Sequence, residues 1–468
     1  MTHPRKPQRG DIMVFFGTKR IAILGFGMEG RSTYKLIRRY FPEQHINICD
    51  QNDTLPGNQS DAISDKHVSW HLGAGYLSGL DGADIIMKSP GIPYKALHGI
   101  PPERITSQTA IFLELYRKQV IGITGTKGKS TTASLLHYIL IYAGKPSLLA
   151  GNIGKPCFDL LDKITEDSII VFEMSSHQLE QLKISPQVAI LLNVFREHLD
   201  HYQSFDAYRD AKFNIARWQQ PGDYFICNIH NENIAGKKLV LNLPGKLITL
   251  GGLSEDGRGV FIDDSDIVIA VPGKQLRLPG AATVRLLPGE HNLLNIAAAA
   301  GAAVLMGVTA DHIADAIKIF PGLPHRLEHV GTFNDVSYYN DSIATIPEAC
   351  MEAVKAVPAA LTLILGGHDR GLDYHALMEF LSESCVQKMF FTGEAGRRMH
   401  DLVKQYAGFS GKTCRLVGSF DEAVQAACRA TPAGKAVLLS PAASSYDTFR
   451  DFKERGERFK TLVKQFAT

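Results

Sequence analysis

Gly122-Ile123-Thr124-Gly125-Thr126-Lys127-Gly128-Lys129-Ser130-Thr131 decides how this chain is read. An apolar run that suits a buried strand (Val120, Ile121, Ile123) leads into it. Ala133, Leu135, Leu136, Tyr138, Ile139 and Leu140 recur after it at helical spacing. A Gly-rich turn between a strand and a helix N-terminus aims backbone N–H groups and the positive end of the helix dipole at one spot, which suits a phosphate. Lys129 can then reach the β- and γ-phosphates of ATP, and the Ser130 hydroxyl can bind Mg²⁺. Gly125, Thr126, Lys127, Gly128 and Thr131 complete the expected cradle. Only Thr126 and Lys127 separate Gly125 from Gly128, so the loop is shorter than the usual eight-residue pattern.

Outward from this loop, the chain reads as three segments. A length of 468 residues, at about 150 per domain, predicts about three domains. The first runs over 1–117, with 1–18 as a flexible leader and Met13 as an alternative start. It shows a strand (Ile21 to Leu24), a Gly-rich turn, a helix, a strand (Ile46 to Cys49) ending in Asp50, and a short run Ile85 to Met87. The second, 118–322, adds strands at Ser168 to Phe172 and Val188 to Leu192 and a helix around Phe205 to Trp218. Between Leu247 and Leu287, short β-like runs alternate with Gly/Asp/Pro turns and predict a small antiparallel patch. An alanine-rich helix over Asn292 to Met306 follows, and Pro321-Gly322-Leu323-Pro324 marks the boundary to the third segment, 323–468. That segment alternates apolar strands (Leu361 to Leu365, Met389 to Phe391, Ala436 to Leu439) with amphipathic helices. The pattern predicts an α/β protein. Its N- and C-terminal domains are Rossmann-like and its central P-loop domain has a mostly parallel sheet.

Composition narrows the class. Hydrophobic residues make up 45% and charged residues 21%, the balance of a water-soluble globular protein. The net charge of +2, without a basic stripe interleaved with aromatics, argues against nucleic acid as a partner. No run approaches the roughly 18 apolar residues that span a membrane. Seven scattered cysteines without a Cys-x-x-Cys pair predict reduced thiols in the cytoplasm, neither a disulfide framework nor a zinc site.

Several other stretches can carry chemistry. Gly25-Phe26-Gly27-Met28-Glu29-Gly30, with Asp50 twenty residues beyond Gly30, matches the dinucleotide fingerprint. On its own it fits NAD or a nucleotide-diphosphate sugar equally. Glu173 ends a strand beside the P-loop, where it can ligate Mg²⁺ or simply stabilise a helix N-terminus. His198 ends the next strand at the same sheet edge, as a ligand or a structural histidine. Judged locally, Lys212 is a solvated helix lysine and Asn340-Asp341-Ser342 a plain turn. Ser440-Pro441-Ala442-Ala443-Ser444-Ser445 offers hydroxyls and N–H groups to an anion.

Taken in order, these stretches resemble the Mur ligase family from about Arg20 to about Phe459. The likeness is carried by the P-loop, Gly151-Asn152-Ile153-Gly154, Glu173-Met174-Ser175-Ser176, Asn193…His198, Tyr208-Arg209-x-Ala211-Lys212, Pro288-Gly289-Glu290-His291-Asn292, Pro324-His325-Arg326 and Asn340-Asp341-Ser342. Ser89-Pro90-Gly91-Ile92, Gly366-Gly367, Ser440-Pro441-Ala442, Asp447…Phe452 and Arg455-Gly456 point within it to the glutamate-adding members.

The resemblance implies an ATP- and Mg²⁺-dependent ligase of peptidoglycan synthesis. Such an enzyme adds glutamate, with the D-form favoured, to UDP-N-acetylmuramoyl-L-alanine through an acyl phosphate, and is expected as a cytoplasmic monomer. It implies Lys129, His198 and Lys212 as catalytic residues. Ser130, Glu173, His198 and an N-carbamylated Lys212 would serve Mg²⁺, while Asn292, Arg326 and Asp341 would contact the adenine nucleotide. Gly25, Gly27, Met28, Glu29, Asp50, Ser89, Pro90 and Gly91 would take the UDP end, which resolves the fingerprint against NAD. Asn152, Ser175 and Gln178 would hold the muramoyl part, and Thr345, Arg370, Ser445 and Phe452 the glutamate. This chain departs from the commonest pattern in having Ile343 and Arg370 where lysines are usual, and Tyr446 where an aliphatic residue or Trp is common. L-Glutamate therefore stands as the alternative substrate. A folate-polyglutamating ligase and a non-catalytic nucleotide-binding scaffold are more distant rivals. The Gly-rich N-terminal segment disfavours the first, and retention of Lys129, Glu173, His198 and Lys212 disfavours the second.

Overall fold

A computed structural model describes residues 9–54, 62–198, 201–234, 243–287, 289 and 291–467. The chain forms two compact units, Met1–Ala282 with Leu294–Ala316, and Thr283–Leu293 with Ile317–Thr468. The first unit carries two sheets and the second carries one, and all three are mostly parallel, as the α/β reading expects.

The first sheet contains β1 (Ile21–Leu24), β2 (Ile46–Asp50), β3 (Val68–Leu72), β4 (Ile85–Lys88) and β5 (Ile105–Thr106), in the order β3-β2-β1-β4-β5. Every pairing in it is parallel. From β1 the chain winds outward to one side and then to the other. The crevice at the carboxyl ends of β1 and β4 is therefore a topological switch point, where ligands of open α/β sheets bind.

The second sheet contains β6 (Val120–Thr124), β7 (Ser147–Gly151), β8 (Ile169–Glu173), β9 (Val188–Leu191), β10 (Tyr224–Cys227), β11 (Lys246–Leu250), β12 (Gly259–Asp263), β13 (Asp266–Val271) and β14 (Lys274–Leu278). Their order is β14-β13-β12-β11-β10-β9-β6-β8-β7, with a second switch point between β6 and β9. The antiparallel patch is smaller than the sequence suggests. β11 pairs in parallel with both β10 and β12, and only β12, β13 and β14 run antiparallel, as a continuation of the same sheet. One apolar core serves both sheets, joining Ile23 and Phe112 to Phe172, Tyr208 and Phe213.

The expected flexible leader is corrected in part. Residues 1–8 lie outside the described residues, but Arg9–Met13 is helical, and Ile12 and Phe16, one helical turn apart, are fully buried in this core. Two apolar side chains at that spacing present one face to bury, and burial is what orders the segment.

In the second unit, β15 (Glu328–Phe333), β16 (Val336–Asn340), β17 (Ala360–Gly366), β18 (Lys388–Thr392), β19 (Thr413–Leu416) and β20 (Ala436–Leu439) are ordered β15-β16-β20-β17-β18-β19. Only the β15–β16 pair is antiparallel. Alternate residues of the central strands enter different cores: Leu363, Leu365 and Leu438 on one face, Ile364, Val437 and Leu439 on the other. A strand buried on both faces needs a continuous apolar run, which is how β17 and β20 read.

Candidate active site

β6 delivers the chain into the P-loop, and Gly128 turns it into the helix Lys129–Tyr142. Gly128 has φ 85°, and a Cβ there would come within 2.2 Å of the Asn295 carboxamide oxygen, so only glycine fits this left-handed position. The loop is clamped from the neighbouring strand exit. Lys127 N–H donates to Asn193 Oδ1 at 2.8 Å, Asn193 Nδ2 donates to the Lys127 carbonyl at 3.1 Å, and Thr126 N–H donates to the Asn193 carbonyl at 2.9 Å. Thr126 Oγ1 also meets the Tyr208 hydroxyl at 2.8 Å. Lys127 itself pairs with Glu197.

Two lysines converge on this loop. Lys129 Nζ donates to the carbonyls of Gly125 and Thr126 at 2.8 and 2.9 Å, and Lys212 Nζ donates to the same Gly125 carbonyl at 2.9 Å. Lys212 is not the solvated lysine its helix composition suggests. It is 1% exposed, and its Nζ lies 4.8 Å from the Tyr208 ring centroid. Burial, reinforced by the Lys129 charge, pushes its pKa well below that of an ordinary lysine.

Glu173 ends β8 beside the loop, in register with Ile123 of β6. It is 1% exposed, Asn152 Nδ2 donates to its Oε1 at 3.0 Å, and its Oε2 is buried without a hydrogen-bond partner among the described residues. An orphaned buried carboxylate oxygen at the end of the strand paired with β6 suits a hard, oxygen-seeking cation. Among the described residues no three His, Cys, Asp or Glu side chains converge as a preformed cage. Mg²⁺ commonly uses only one or two carboxylates and completes its shell from water and phosphate oxygens, so Ser130 and Glu173 fit it without such a cage.

His198 has φ 57° and stands in a histidine cluster, its ring 4.9 Å from His177 and 5.9 Å from Tyr208. His201 packs 4.1 Å from His177 and meets Glu180 Oε2 at 2.9 Å. Burial and the flanking His201 and His198 lower the His177 pKa to about 4.

The residues expected to hold the sugar nucleotide are heavily used by the fold. Asp50 Oδ2 accepts from Phe26 N–H at 2.6 Å and its Oδ1 from Asn52 N–H at 2.9 Å, so it braces the Gly-rich turn. Gly25 (φ 88°) receives the Ser89 hydroxyl on its carbonyl at 2.8 Å, and Pro90 and Gly91 carry the chain away from that contact. Gly27 is the N-cap of the helix Met28–Tyr40 with open space around it, and the Met28 side chain beyond it is exposed. Ser175 and Gln178 form a capping box, and Gln178 Nε2 donates to Glu29 Oε1 at 2.8 Å. That bond joins the helix following β8 to the turn following β1.

In the second unit, β16, β20 and β17 lie side by side and parallel, so the segments after them share one edge. Asp341 is buried there. It accepts from Ser440 Oγ at 2.9 Å and from Leu327 N–H at 3.1 Å, and burial holds its pKa up at about 7 despite these bonds and Arg326. His325, next to Arg326, adopts φ 64°, and a Cβ on Gly456 would come within 2.1 Å of its Nδ1. Thr345 accepts from Arg370 at 3.1 Å on its backbone carbonyl, Ser445 is buried, and the Phe452 carbonyl receives the Ser342 hydroxyl at 2.8 Å. Asn292 is buried in the helix His291–Leu305, while Pro288 and Glu290 of its motif lie outside the described residues.

One organising residue here carried no role in the sequence reading. Arg455, 2% exposed, donates to Ser342 Oγ at 3.0 Å and to the carbonyls of Ser342, Ala443, Ser444 and Gly366 at 2.8, 3.0, 3.2 and 3.5 Å. It ties together all three segments at the sheet edge. The only sequence signal was its place in Arg455-Gly456.

Comparison with known proteins agrees with this architecture. The Mur ligase middle domain matches residues 123–303, and the Mur ligase glutamate ligase domain matches residues 325–443. The UDP-N-acetylmuramoylalanine–D-glutamate ligase of Thermoanaerobacter sp. (strain X514) is 31% identical over 450 residues, 95% of this chain and 98% of that one. The ligase of the same name from Citrifermentans bemidjiense is 35% identical over 451 residues, 95% and 97% of the two chains. Among solved structures, the UDP-N-acetylmuramate–alanine ligase of Thermotoga maritima aligns with a TM-score of 0.53 at 16% identity, covering 96% of this chain and 99% of that one. The D-alanyl-D-alanyl-adding ligase of Acinetobacter baumannii aligns at 0.54 and 16%, covering 95% and 89%. These two show the fold, the sequence relatives show the lineage, and the chain belongs to the Mur ligase family.

Proposed function

We propose that this chain is a cytoplasmic, ATP-dependent ligase that joins D-glutamate to UDP-N-acetylmuramoyl-L-alanine, releasing ADP and phosphate, in peptidoglycan synthesis. The observation that carries the reading is full-length likeness to D-glutamate-adding ligases in a chain that keeps Lys129, Ser130, Glu173 and Lys212 around one P-loop. In line with this, no helix among the described residues is long and apolar enough to cross a membrane.

A carboxylate does not acylate an amine unaided, so the alanyl carboxylate first takes the γ-phosphoryl group of ATP. The resulting acyl phosphate is attacked by the glutamate amine, and phosphate leaves from the tetrahedral intermediate. Lys129 swings from its own loop carbonyls onto the transferring phosphoryl oxygens, supplying a charge where charge develops. Mg²⁺ held by Ser130 and Glu173, with His198 serving a second ion, would neutralise the phosphoryl oxygens further. Lys212, whose pKa is lowered by burial and by the Lys129 charge, is suited to take up CO₂ as a carbamate, an anion at a place where a lysine cation would repel the metal. The Gly-rich turn after β1 takes the UDP end. In the second unit, Arg326 and Asp341 address the nucleotide, and Thr345, Arg370, Ser445 and Phe452 the glutamate.

The test is phosphate release from ATP with UDP-N-acetylmuramoyl-L-alanine and Mg²⁺, offering D- and L-glutamate separately. One enantiomer should be clearly favoured, because a displacement of about 1 Å at the reacting atom can cost about 10²-fold. Preference for L-glutamate overturns the stereochemical assignment alone. Absence of release with either overturns the ligase reading.

A further inference from the structure

Lys88, the last residue of β4, is 4% exposed. Its Nζ donates to the carbonyl of the adjacent Ser89 at 3.2 Å and lies 4.5 Å from the Tyr94 ring centroid. The half-buried arginines Arg38 and Arg117 of the first unit are paired, with Asp65 and Asp223, and the other fully buried lysine, Lys212, donates to the Gly125 carbonyl of the P-loop. Lys88 forms no ion pair with any described carboxylate. Burial lowers its pKa to about 8 against the weaker opposing pull of Glu180 and Glu29. An ammonium has three donors, and a lysine is almost never buried without a compensating partner.

A complementary irregularity lies nearby. Glu29 Oε1 is taken by Gln178, but Oε2 is buried with no hydrogen-bond partner among the described residues. The end of β4 is also held tightly to the Gly-rich turn, since a Cβ on Gly25 would come within 2.9 Å of Ser89 Cβ. The helix that starts at this turn, Met28–Tyr40, has no side-chain cap at its N-terminus. One sheet edge thus presents a buried cation lacking an anion, a carboxylate oxygen lacking a donor, and uncapped N–H groups. The two buried irregularities, Lys88 and Glu29 Oε2, are costly in an isolated fold and are removed by a single ligand with an anion and a neighbouring N–H or O–H.

We propose that Lys88 holds an anionic group of the UDP-linked substrate, and that Glu29 Oε2 accepts a hydrogen bond from the same molecule. Lys88 is then a substrate-positioning residue that the family resemblance left without a role. The inference rests on the ligase reading given above. Two groups of that substrate offer the right chemistry, the diphosphate and the alanyl carboxylate.

Calorimetric titration of the full chain, without ATP or glutamate, tests it with two ligands. UDP-N-acetylmuramoyl-L-alanine carries both anions, and UDP-N-acetylglucosamine carries the diphosphate alone. Lys88→Met, which keeps the side-chain length, should weaken the muramoyl ligand by about 10- to 100-fold, the usual worth of a hydrogen bond to a charged group. ATP affinity should be unchanged. An equal loss for both ligands assigns the diphosphate, and a loss confined to the muramoyl ligand assigns the carboxylate. Unchanged affinity for both overturns the proposal and leaves Lys88 a structural residue. Should Lys88→Met fail to fold, Lys88→Gln keeps a donor for the Ser89 carbonyl and carries the same test. A wild-type chain that binds neither ligand overturns the ligase reading and this inference together. Wild-type binding with an indifferent variant overturns the inference alone.

Discussion

Asp341→Asn is expected to remove a pH dependence from the second unit. In the fold the Asp341 carboxyl has a pKa of about 7, because burial outweighs the bonds from Ser440 and Leu327 and the nearby Arg326. An unfolded aspartate titrates near about 3.9, so the shift is about three units, worth about 4 kcal/mol at 1.36 kcal/mol per unit. The sign follows from the direction. A raised folded pKa means that the native state holds the proton more tightly. The contribution is therefore full below about pH 4, declines as pH rises, and is gone above about pH 7. Asparagine resembles the protonated acid, since its oxygen can accept from Leu327 N–H and its amide can donate to Ser440. The variant should match wild type near pH 4 and exceed it by up to about 4 kcal/mol at pH 8. Both tryptophans, Trp70 and Trp218, belong to the first unit, so fluorescence would miss the effect. Hydrogen exchange followed by mass spectrometry on peptides covering β16 and β20 reads the right unit. The ratio of wild-type to variant opening should grow about tenfold per pH unit across the window, approaching about 10³. A ratio that stays constant from pH 4.5 to 8 would refute the claim that Asp341 titrates there.

Three further outcomes are expected. Lys129→Ala should lower turnover by at least about 10²–10³-fold at saturating ATP and Mg²⁺ in the phosphate-release assay, as for loss of one preorganised donor; activity within tenfold of wild type would mean that the loop does not grip the transferring group. Lys212→Ala should be nearly inactive and partly restored by added short carboxylates that replace the carbamate anion, and crystallographic density for an unmodified ammonium in a nucleotide–Mg²⁺ complex would contradict the carbamate. Arg370→Ala should raise KM for glutamate strongly while leaving that for ATP unchanged, the signature of lost uniform binding to one substrate; equal effects on both would remove Arg370 from the glutamate pocket.

How much of this was legible depended on how local each signal was. β1, β6, β8, β9, β17 and β20 are apolar runs closed by glycine or polar residues, and each was readable because burial on both faces forces an unbroken apolar stretch. β3 is only half-buried along its length and β19 is largely exposed, so neither carries that stretch, and pairing alone makes them strands. Asp50 shows a limit of motif reading. The resemblance gives it to the UDP end, and in the fold both its oxygens also accept backbone bonds, from Phe26 and Asn52 N–H. Ser175 and Gln178 are similar, for the sequence spacing of a capping box equals that of a substrate-binding pair. Arg455 and Lys88 lie at the opposite extreme. Arg455 acts on backbone carbonyls up to 113 positions away, and Lys88 is distinguished by what does not surround it; no local pattern encodes either property.

The two lysines at Gly125 show why such long-range facts matter to chemistry. The shared Gly125 carbonyl cannot by itself offset two ammonium charges, and two like unit charges about 4 Å apart repel by about 4 kcal/mol at an effective dielectric constant of about 20. Lys129 shares its charge between two carbonyls and stands at a helix start that opens toward phosphate, whereas Lys212 is more deeply buried and faces Lys129 across the shared acceptor. Lys212 therefore holds its proton less tightly than an ordinary lysine, through burial and the nearby Lys129 charge. A neutral amine has the lone pair that carbamate formation requires, and a carbamate on Lys212 would turn the Lys129–Lys212 interaction from repulsion to attraction. Burial disfavours any charge at Lys212, but the Lys129 charge that makes it a poor cation would favour an anion there.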